Sequence, residues 1–357
     1  MDNQIFKQYN LKLHILSPVH IGCDDVYEPF SFVIDENKKK LIHFSPIDFM
    51  RYLSEEDKNE FSKICMSENI LELYKFVKRK YKPNVGFKEI DVTEGIVTHY
   101  KKVLEKNFFN KDEVINQFLI NRTMYNVNNN IPYIPGSSIK GAIRTAYLSK
   151  LAEEKKIKNC RKKSFELERE LLHGAFQKDP FRLIKISDFQ PIGNIKTKIV
   201  YAINKKKKKS NYESKALYQI LEIITPNSVF EGTITIFNAE KNSEIEKPIS
   251  QLNDLLKIVN NFYSNLLEND LGLEISEYMK PELKNNLLKT TFILRIGKHS
   301  GAESVTIENN RNIKIQRGKN KKPIFSNHST TFWVVSETIK PLNNKIVPLG
   351  LTLLEII

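Results

Sequence analysis

Ile131–Leu151 reads IPYIPGSSIKGAIRTAYLSKL, and its two halves call for different backbones. Pro132 and Pro135 fix φ and push Ile131 and Ile134 into extended geometry, so the segment opens as a strand. Gly136 then permits a sharp turn, and Ser137 or Ser138 offers a side-chain oxygen that can cap a helix. Beyond the cap, Ile139, Ala142, Ile143, Ala146, Tyr147 and Leu151 recur at helical spacing and form one apolar face. Lys140 and Arg144 stand one turn apart on another face. The first amides of a helix are unpaired and lie at the positive end of its dipole. A glycine there lets a sugar–phosphate backbone approach closely, and the two cations add to the field. The spacing alone equally suits an ordinary capped amphipathic helix.

The wider composition favours a polyanionic partner. The chain has 357 residues, 40% hydrophobic and 27% charged, with a net charge of +14 and a pI near 9.3. That describes a globular protein with a substantial core and a basic surface, a balance shared by nucleic-acid binders and some enzymes. Cys23, Cys65 and Cys160 lack CxxC spacing and read as free thiols of a reducing compartment. The opening MDNQIFKQYN carries no signal-peptide core, and no apolar run reaches the roughly 18 residues of a membrane span. A cytoplasmic protein is expected. No Walker A pattern, GxGxxG, HExxH or CxxC pair is present, so no cofactor and no metal is expected.

Pro135–Arg144, PGSSIKGAIR, closely resembles the glycine-rich helix start of the RAMP proteins, ferredoxin-like RNA-binding subunits of CRISPR effector complexes. Three other stretches, in the right order, carry the same resemblance. LSPVHIG (Leu16–Gly22), followed by a polar loop and FVID, is similar to the start of the RAMP subunit that caps type III-A complexes. DPFRLIKISDF (Asp179–Phe189) follows the helix at a suitable distance. LRIGKHSGAESVT (Leu294–Thr306) places Lys298, His299 and Ser300 at a loop tip between Gly297 and Gly301. Successive amides of such a loop can form an anion-binding concavity.

The resemblance implies an α+β fold of two ferredoxin-like (RRM-like) RAMP domains with helical and loop insertions, over 1–210 and 211–357. It also implies a non-catalytic RNA-binding subunit of the type III-A Csm complex that caps the crRNA 3′-end in antiviral defence. The expected partners are crRNA, the neighbouring RAMP backbone subunit, the small helical subunit and recruited host nucleases, with no membrane. The expected RNA-binding residues are Gly136, Ser137, Ser138, Lys140, Gly141, Arg144, Arg295, Gly297, Lys298, His299 and Gly301, with no catalytic residue. A metal-independent endoribonuclease acting on precursor RNA is the alternative, and His299 would then need a partner to serve as acid or base. His20 reads as structural because no second histidine lies in register with it, and Asp24-Asp25 reads as a solvated loop pair.

The rest of the chain yields a coarse map. Strands are expected over Leu11–Ile21, Phe30–Ile34 and Leu41–Phe44, with Cys23–Pro29 as a polar loop. Ser45-Pro46 signals a helix start. Gly86–Tyr100 reads as irregular, Val114–Tyr133 as strand, asparagine-rich turn and strand, and Phe165–Phe176 as helix. Lys205–Lys209 reads as a solvated loop after a strand from Asn194 to Ile203. Leu217–Thr225 and Val229–Phe237 read as a hairpin about Pro226-Asn227-Ser228. A strong helix follows over Leu252–Leu266, then a short one ending near Leu288, then strands through TTFILRIG, IKIQ and TTFWVVSE to the C-terminal Ile346–Ile357.

Overall fold

The computed structural model describes residues 5–83, 88–105, 118–158, 163–174, 176–208, 218–240, 243–270, 272–317, 321–339 and 347–357. Strand β1 (Phe6–Ile15) alternates, so that Leu11, Leu13 and Ile15 are at most 1% exposed while the residues between them are half-buried. Strands β2 (Gly22–Val26), β3 (Phe32–Asp35) and β4 (Lys40–His43) follow, then helices α1 (Pro46–Tyr52), α2 (Glu55–Met66) and α3 (Ile70–Lys80). Strand β5 (Lys88–Val92), helix α4 (Glu94–Glu105) and strand β6 (Ile120–Thr123) lead to the long helix α5 (Gly136–Glu154) and to α6 (Ser164–Leu171). Next come β7 (Ile184–Ile186), β8 (Gln190–Pro191), β9 (Thr197–Lys206), β10 (Tyr218–Ile224) and β11 (Val229–Phe237). Helices α7 (Leu252–Asn265) and α8 (Pro281–Asn285) precede β12 (Thr291–Arg295), β13 (Ile313–Ile315), β14 (Ile324–Ser326), β15 (Thr331–Ser336) and β16 (Leu351–Ile356).

These strands build a mixed α/β architecture of two main sheets. Sheet one runs β12-β16-β1-β11-β7, with β8 also on β11. Sheet two runs β2-β6-β10-β9-β5-β4-β3, with β15 on β9 beyond the end of β5. Helices α5 and α7 pack on sheet one, burying Ile139, Ala142, Ile143 and Ala146 with Leu255, Leu256, Val259 and Tyr263. Helices α3 and α4 pack on sheet two through Leu71, Tyr74, Ile96, Val97 and Tyr100. The opposite face of sheet two is also buried, by Val200, Ala202, Leu221, Ile223 and Leu349, so β9 and β10 are near-continuous apolar runs. The expected cap at Ser45 forms, its hydroxyl accepting from the Asp48 amide at 3.4 Å with Pro46 opening the helix.

Several expected elements differ. Gly22–Val26 is a strand despite its polar sequence, because β2 lies at the edge of sheet two and pairs irregularly with β6. The stretch expected to be irregular forms β5 and α4, whose buried Ile96, Val97, Tyr100 and Val103 fall on one face. Helix α6 stops at Leu171 because His173 and Gly174 turn left-handed. Lys205 and Lys206 belong to β9, which β15 extends by pairing; Lys209 lies outside the described residues, as do Gly86, Phe87, Val114–Gln117, Cys160, Leu217 and Ile346. Most consequential, Tyr218–Phe237 is not a hairpin: β10 joins sheet two and β11 joins sheet one. The connecting residues are claimed instead by β1, with Asn227 N donating to Ile15 O and Ile15 N to Ser228 O, each at 2.9 Å.

A division at 210/211 therefore does not separate the sheets, although the cut itself lies outside the described residues. Sheet one takes β1 and β7 from before that point and β11, β12 and β16 from after it; sheet two takes β10 and β15 from after it. Fragments 1–210 and 211–357 should each fail to fold alone yet associate when co-expressed, as read by circular dichroism and size-exclusion chromatography. Two fragments that each unfold cooperatively on their own would contradict the interleaving.

Candidate RNA interface

Helix α5 starts at Gly136 with Pro135 in the cap position and no side-chain cap of its own. Ser137 and Ser138 already lie inside the first turn, so the expected serine cap does not form. The Gly136 amide donates instead to Asp188 Oδ1 at 2.8 Å, and this carboxylate offsets the positive end of the helix. Gly136 is not left-handed. It is needed because a Cβ there would sit 2.3 Å from Ile186 O and 2.5 Å from Ser187 O. Gly141 is the opposite case, exposed and with nothing within 4 Å of its Cβ position. No internal contact explains a glycine there, and with the exposed Ser137 one turn earlier it leaves a flat patch on the helix.

Lys140 and Arg144 lie off the apolar face as expected, but both are engaged inside the protein. Lys140 Nζ donates to Phe181 O at 2.9 Å and Ile184 O at 2.7 Å. Burial pushes its pKa down, and Lys185 and Arg144 push the same way against Asp179. Arg144 Nη1 donates to Asp179 Oδ2 at 2.7 Å and Nη2 to Glu168 Oε2 at 3.1 Å. The two cations tie α5 to the Asp179–Ile184 turn, so their removal unpins that turn as well as discharging the surface.

The second glycine motif lies directly on the first strand's continuation. Gly297 and Gly301 are left-handed, with φ of 88° and 98°. A Cβ at Gly297 would lie 2.6 Å from His20 O, and the same oxygen accepts from the Lys298 amide at 2.8 Å. The Lys298 side chain is exposed, with its stem across Gly22, where an added Cβ would be 3.1 Å from Lys298 Cδ. His299 is itself left-handed at φ 68°, a conformation that costs a non-glycine residue about 1–3 kcal/mol. Its Nε2 lies 2.9 Å from Gln219 Oε1, and its ring centre lies 4.2 Å from that of Trp333, the planes inclined at 39°.

The structure brings His20 near His299, a partner that sequence spacing does not reveal. His20 is 1% exposed, its Nδ1 donates to Glu222 O at 2.8 Å, and its buried Nε2 has no hydrogen-bond partner among the described residues. Burial holds the His20 pKa down. Burial also pushes His299 down to about 4, helped by His20 and Lys298, so both rings are neutral at pH 7. Arg295, expected to meet RNA, is instead 4% exposed, because β12 ends with its side chain turned inward. Its Nε donates to Leu349 O at 3.0 Å and its Nη1 to Ser304 Oγ at 3.4 Å, and burial pushes its pKa down to about 10.

Backbone hydrogen bonds join the two glycine motifs into one surface. Lys298 N donates to His20 O, Met124 N to Ile21 O at 2.7 Å, and Tyr133 N to Met124 O at 3.3 Å. Ile134 then exchanges bonds of 3.0 and 2.8 Å with Phe189, two residues before α5 begins. At the usual lateral spacing of ~4.8 Å, this ladder spans about 19 Å from the Lys298 loop to Phe189.

A buried polar network adjoins the ladder, and sequence reasoning missed it. The Glu222 carboxylate, 1% exposed, accepts from Tyr27 OH at 2.9 Å, Lys88 Nζ at 3.2 Å and Thr123 N at 3.3 Å. Arg122 lies 3.5 Å over the Tyr125 ring and donates to Asn130 Oδ1 at 2.9 Å. The available signal was a lone glutamate inside the apolar run ILEII. Asp25 Oδ2 accepts from Tyr125 OH at 2.6 Å, while Asp24 is exposed at φ 57°. Among the described residues no group of three or more His, Cys, Asp or Glu side chains could hold a metal, and no helix is long and apolar enough to cross a membrane.

Two sheets with interleaved strands, linked by backbone bonds between the Lys298 loop and the entry to α5, define a mixed α/β class of protein. The family model of the RAMP superfamily matches residues 12–273, and the chain belongs to that superfamily. Over 210 residues it is 29% identical to a protein of Methanocaldococcus jannaschii described as CRISPR system Cms protein Csm5. That match covers 53% of this chain and 46% of the relative, so it spans about half of the relative's length. The fold is similar to a chain of a type III-A Csm–crRNA–target RNA ternary complex solved by cryo-EM, with a TM-score of 0.62 and 16% identity over 98% of this chain and 100% of that one. It is also similar to the crystal structure of T. onnurineus Csm5, with a TM-score of 0.50 and 17% identity over 82% of this chain and 92% of that one.

Gly136→Ala should destabilise by about 1–3 kcal/mol through backbone crowding. Gly141→Ala should raise stability by roughly 0.8–1 kcal/mol while weakening single-stranded RNA binding. Denaturant titration and fluorescence anisotropy check both, and a stabilised Gly141→Ala protein with unchanged affinity would remove that patch from the interface.

The buried histidines set a pH response. Unfolded histidines protonate near 6.5, whereas folded His43 and His299 protonate only near 4. Between those values the unfolded chain binds more protons, so stability falls as pH drops from 7 toward 4. The melting temperature should decline over that window, and His299→Gln should remove part of the decline; a flat profile would contradict the burial argument.

Proposed function

We propose that this protein is a non-catalytic RNA-binding subunit of the type III-A CRISPR (Csm) interference complex, holding the crRNA 3′-end. The observation that carries the reading is the ladder joining the Lys298 loop to the start of α5. It ties the loop that carries the exposed Lys298 to the segment that enters α5, whose first turns carry the open patch at Gly141. Membership of the RAMP superfamily, the Csm relatives and the net charge of +14 support it. Among the proposed RNA-binding residues, Lys298, Gly297, Gly301, Ser137, Ser138 and Gly141 act directly. Lys140, Arg144, Gly136 and Arg295 hold the segments that carry them, and His299 fixes the loop against Trp333.

In the same reading sheet one is a ferredoxin-like unit. Its β-α-β-β-α-β path is β1, α5, β7, β11, α7 and β16, with β12 added at the edge, and sheet two is the core of the second RAMP unit. The proposed partners are crRNA, a neighbouring RAMP backbone subunit, the small helical subunit and recruited host nucleases, in the cytoplasm. The endoribonuclease reading draws on the closeness of His20 and His299. Burial holds both neutral at pH 7, so neither ring stands ready as a general acid.

A subunit serving guides of changing sequence must hold RNA by its backbone. Unrelated single strands of equal length should therefore bind within a few fold of one another. Lys298→Ala should flatten the log–log salt dependence by about 0.7, the share of one phosphate on a single strand. Lys140→Glu and Arg144→Glu should lower the melting temperature before they change that slope. Strong preference for one sequence, with cleavage that survives EDTA and is lost in His299→Ala, would favour the enzyme instead.

A further inference from the structure

Strands β13 and β14 form a two-stranded ribbon that joins neither main sheet. Ile313 pairs with Ser326, Lys314 with Phe325 and Ile315 with Ile324, so the members of each pair share one face of the ribbon. Both feet are fastened to the body. Before β13, Asn310 Nδ2 donates to Ile157 O at 2.9 Å; after β14, Ser329 N and Oγ donate to Glu303 Oε1 at 2.7 and 2.6 Å. Ile313 and Ile315 are half-buried, whereas Ile324 is 44% and Phe325 59% exposed, which makes β14 the outer strand. Successive residues of a strand point to opposite faces, so β14 shows a large apolar side chain on each. Lys314, Arg317, Lys321 and Lys322 are exposed, and none has an ion-pair partner among the described residues. Lysines alone would guard an open edge against pairing, but Ile324 and Phe325 beside them favour it.

We propose that the outer edge of β14 takes an extended acidic segment of a partner protein as a third strand. The inference goes beyond the RNA-binding reading above and uses none of its residues. A base stacked on Phe325 would leave Ile324 uncovered on the opposite face. A strand laid along β14 covers both, because its own side chains alternate between the same two faces. The cations set the chemistry of that strand. Lys314 stands directly across from Phe325, Arg317 lies two residues past Ile315, and Lys322 lies two residues before Ile324. Aspartates or glutamates alternating with apolar residues answer this pattern of charge beside exposed apolar surface. The pinned feet hold the edge in place before the partner arrives, which lowers the ordering cost of docking.

The test is anisotropy with the full-length protein and a short labelled peptide in which glutamate alternates with valine. The peptide should bind saturably and slow hydrogen–deuterium exchange in Ile324–Ser326. Methylating alternate backbone nitrogens keeps its side chains and charge but blocks strand pairing, and should weaken it at least about tenfold. Lys314→Glu/Lys322→Glu should also weaken it at least about tenfold, and should gain binding of the matching peptide with lysine in place of glutamate. Ile324→Thr/Phe325→Thr keeps β-branched strand formers in β14, so it should melt as the parent does while losing affinity for the glutamate peptide. Both double variants should bind single-stranded RNA as the parent does. Failure of the parent to bind the glutamate peptide, or equal binding of its methylated form, overturns the proposal. So does loss of RNA binding in the two variants, which makes the ribbon a nucleic-acid contact.

Discussion

The structure depends on carbonyl oxygens packed where glycine side chains would be. His20 O lies 2.6 Å from the Cβ position of Gly297, Ile296 O lies 2.1 Å from that of Gly350, and Ile186 O lies 2.3 Å from that of Gly136. In each case a segment distant in sequence occupies the space. Any side chain at these positions would drive the segments apart, because a backbone carbonyl, unlike a flexible side chain, cannot swing aside. Gly297 and Gly350 carry φ near 88° as well, so steric room and backbone conformation select the same residue type. These contacts let the start, middle and end of the chain share one hydrogen-bonded surface.

The Glu222 network supports that surface from within. A carboxylate 1% exposed is tolerable only when its lone pairs are satisfied, and Tyr27, Lys88 and the Thr123 amide do so. The same glutamate's backbone oxygen fixes the His20 ring through Nδ1. His20 in turn accepts the Lys298 amide through its own backbone oxygen, so β10 and the Lys298 loop are linked through His20. Removing the Glu222 side chain would leave Lys88 Nζ with Asn130 O alone and strip the Tyr27 hydroxyl and the Thr123 amide of their shared acceptor.

What could be read in the sequence was the local pattern. The apolar face of α5 from Ile139 to Ala146 is buried as its spacing requires, and the glycine loop after LRI forms where Gly297 and Gly301 permit. What could not be read depended on partners remote in sequence. Asp188 displaces the serine cap from 52 residues away, and Lys140 and Arg144 spend their charge on a turn about 40 residues downstream. Pro226-Asn227-Ser228 has hairpin composition, yet β1 captures its backbone and sends the flanking strands into different sheets. Arg295 is expected at the RNA surface from its motif, but Leu349 O and Ser304 Oγ claim it for the interior. Polar edge strands such as β2 escape periodicity because no face of them is wholly buried.

The most direct measurement is hydrogen–deuterium exchange of the full-length protein with and without a single-stranded guide RNA. Slowed exchange on RNA addition should concentrate in the Lys298 loop, in Ile21–Cys23 and in the first turns of α5, where the ladder presents them together. Protection confined to the helices α1–α3, or no protection despite binding, would contradict the claim that the two glycine motifs form one RNA-holding edge.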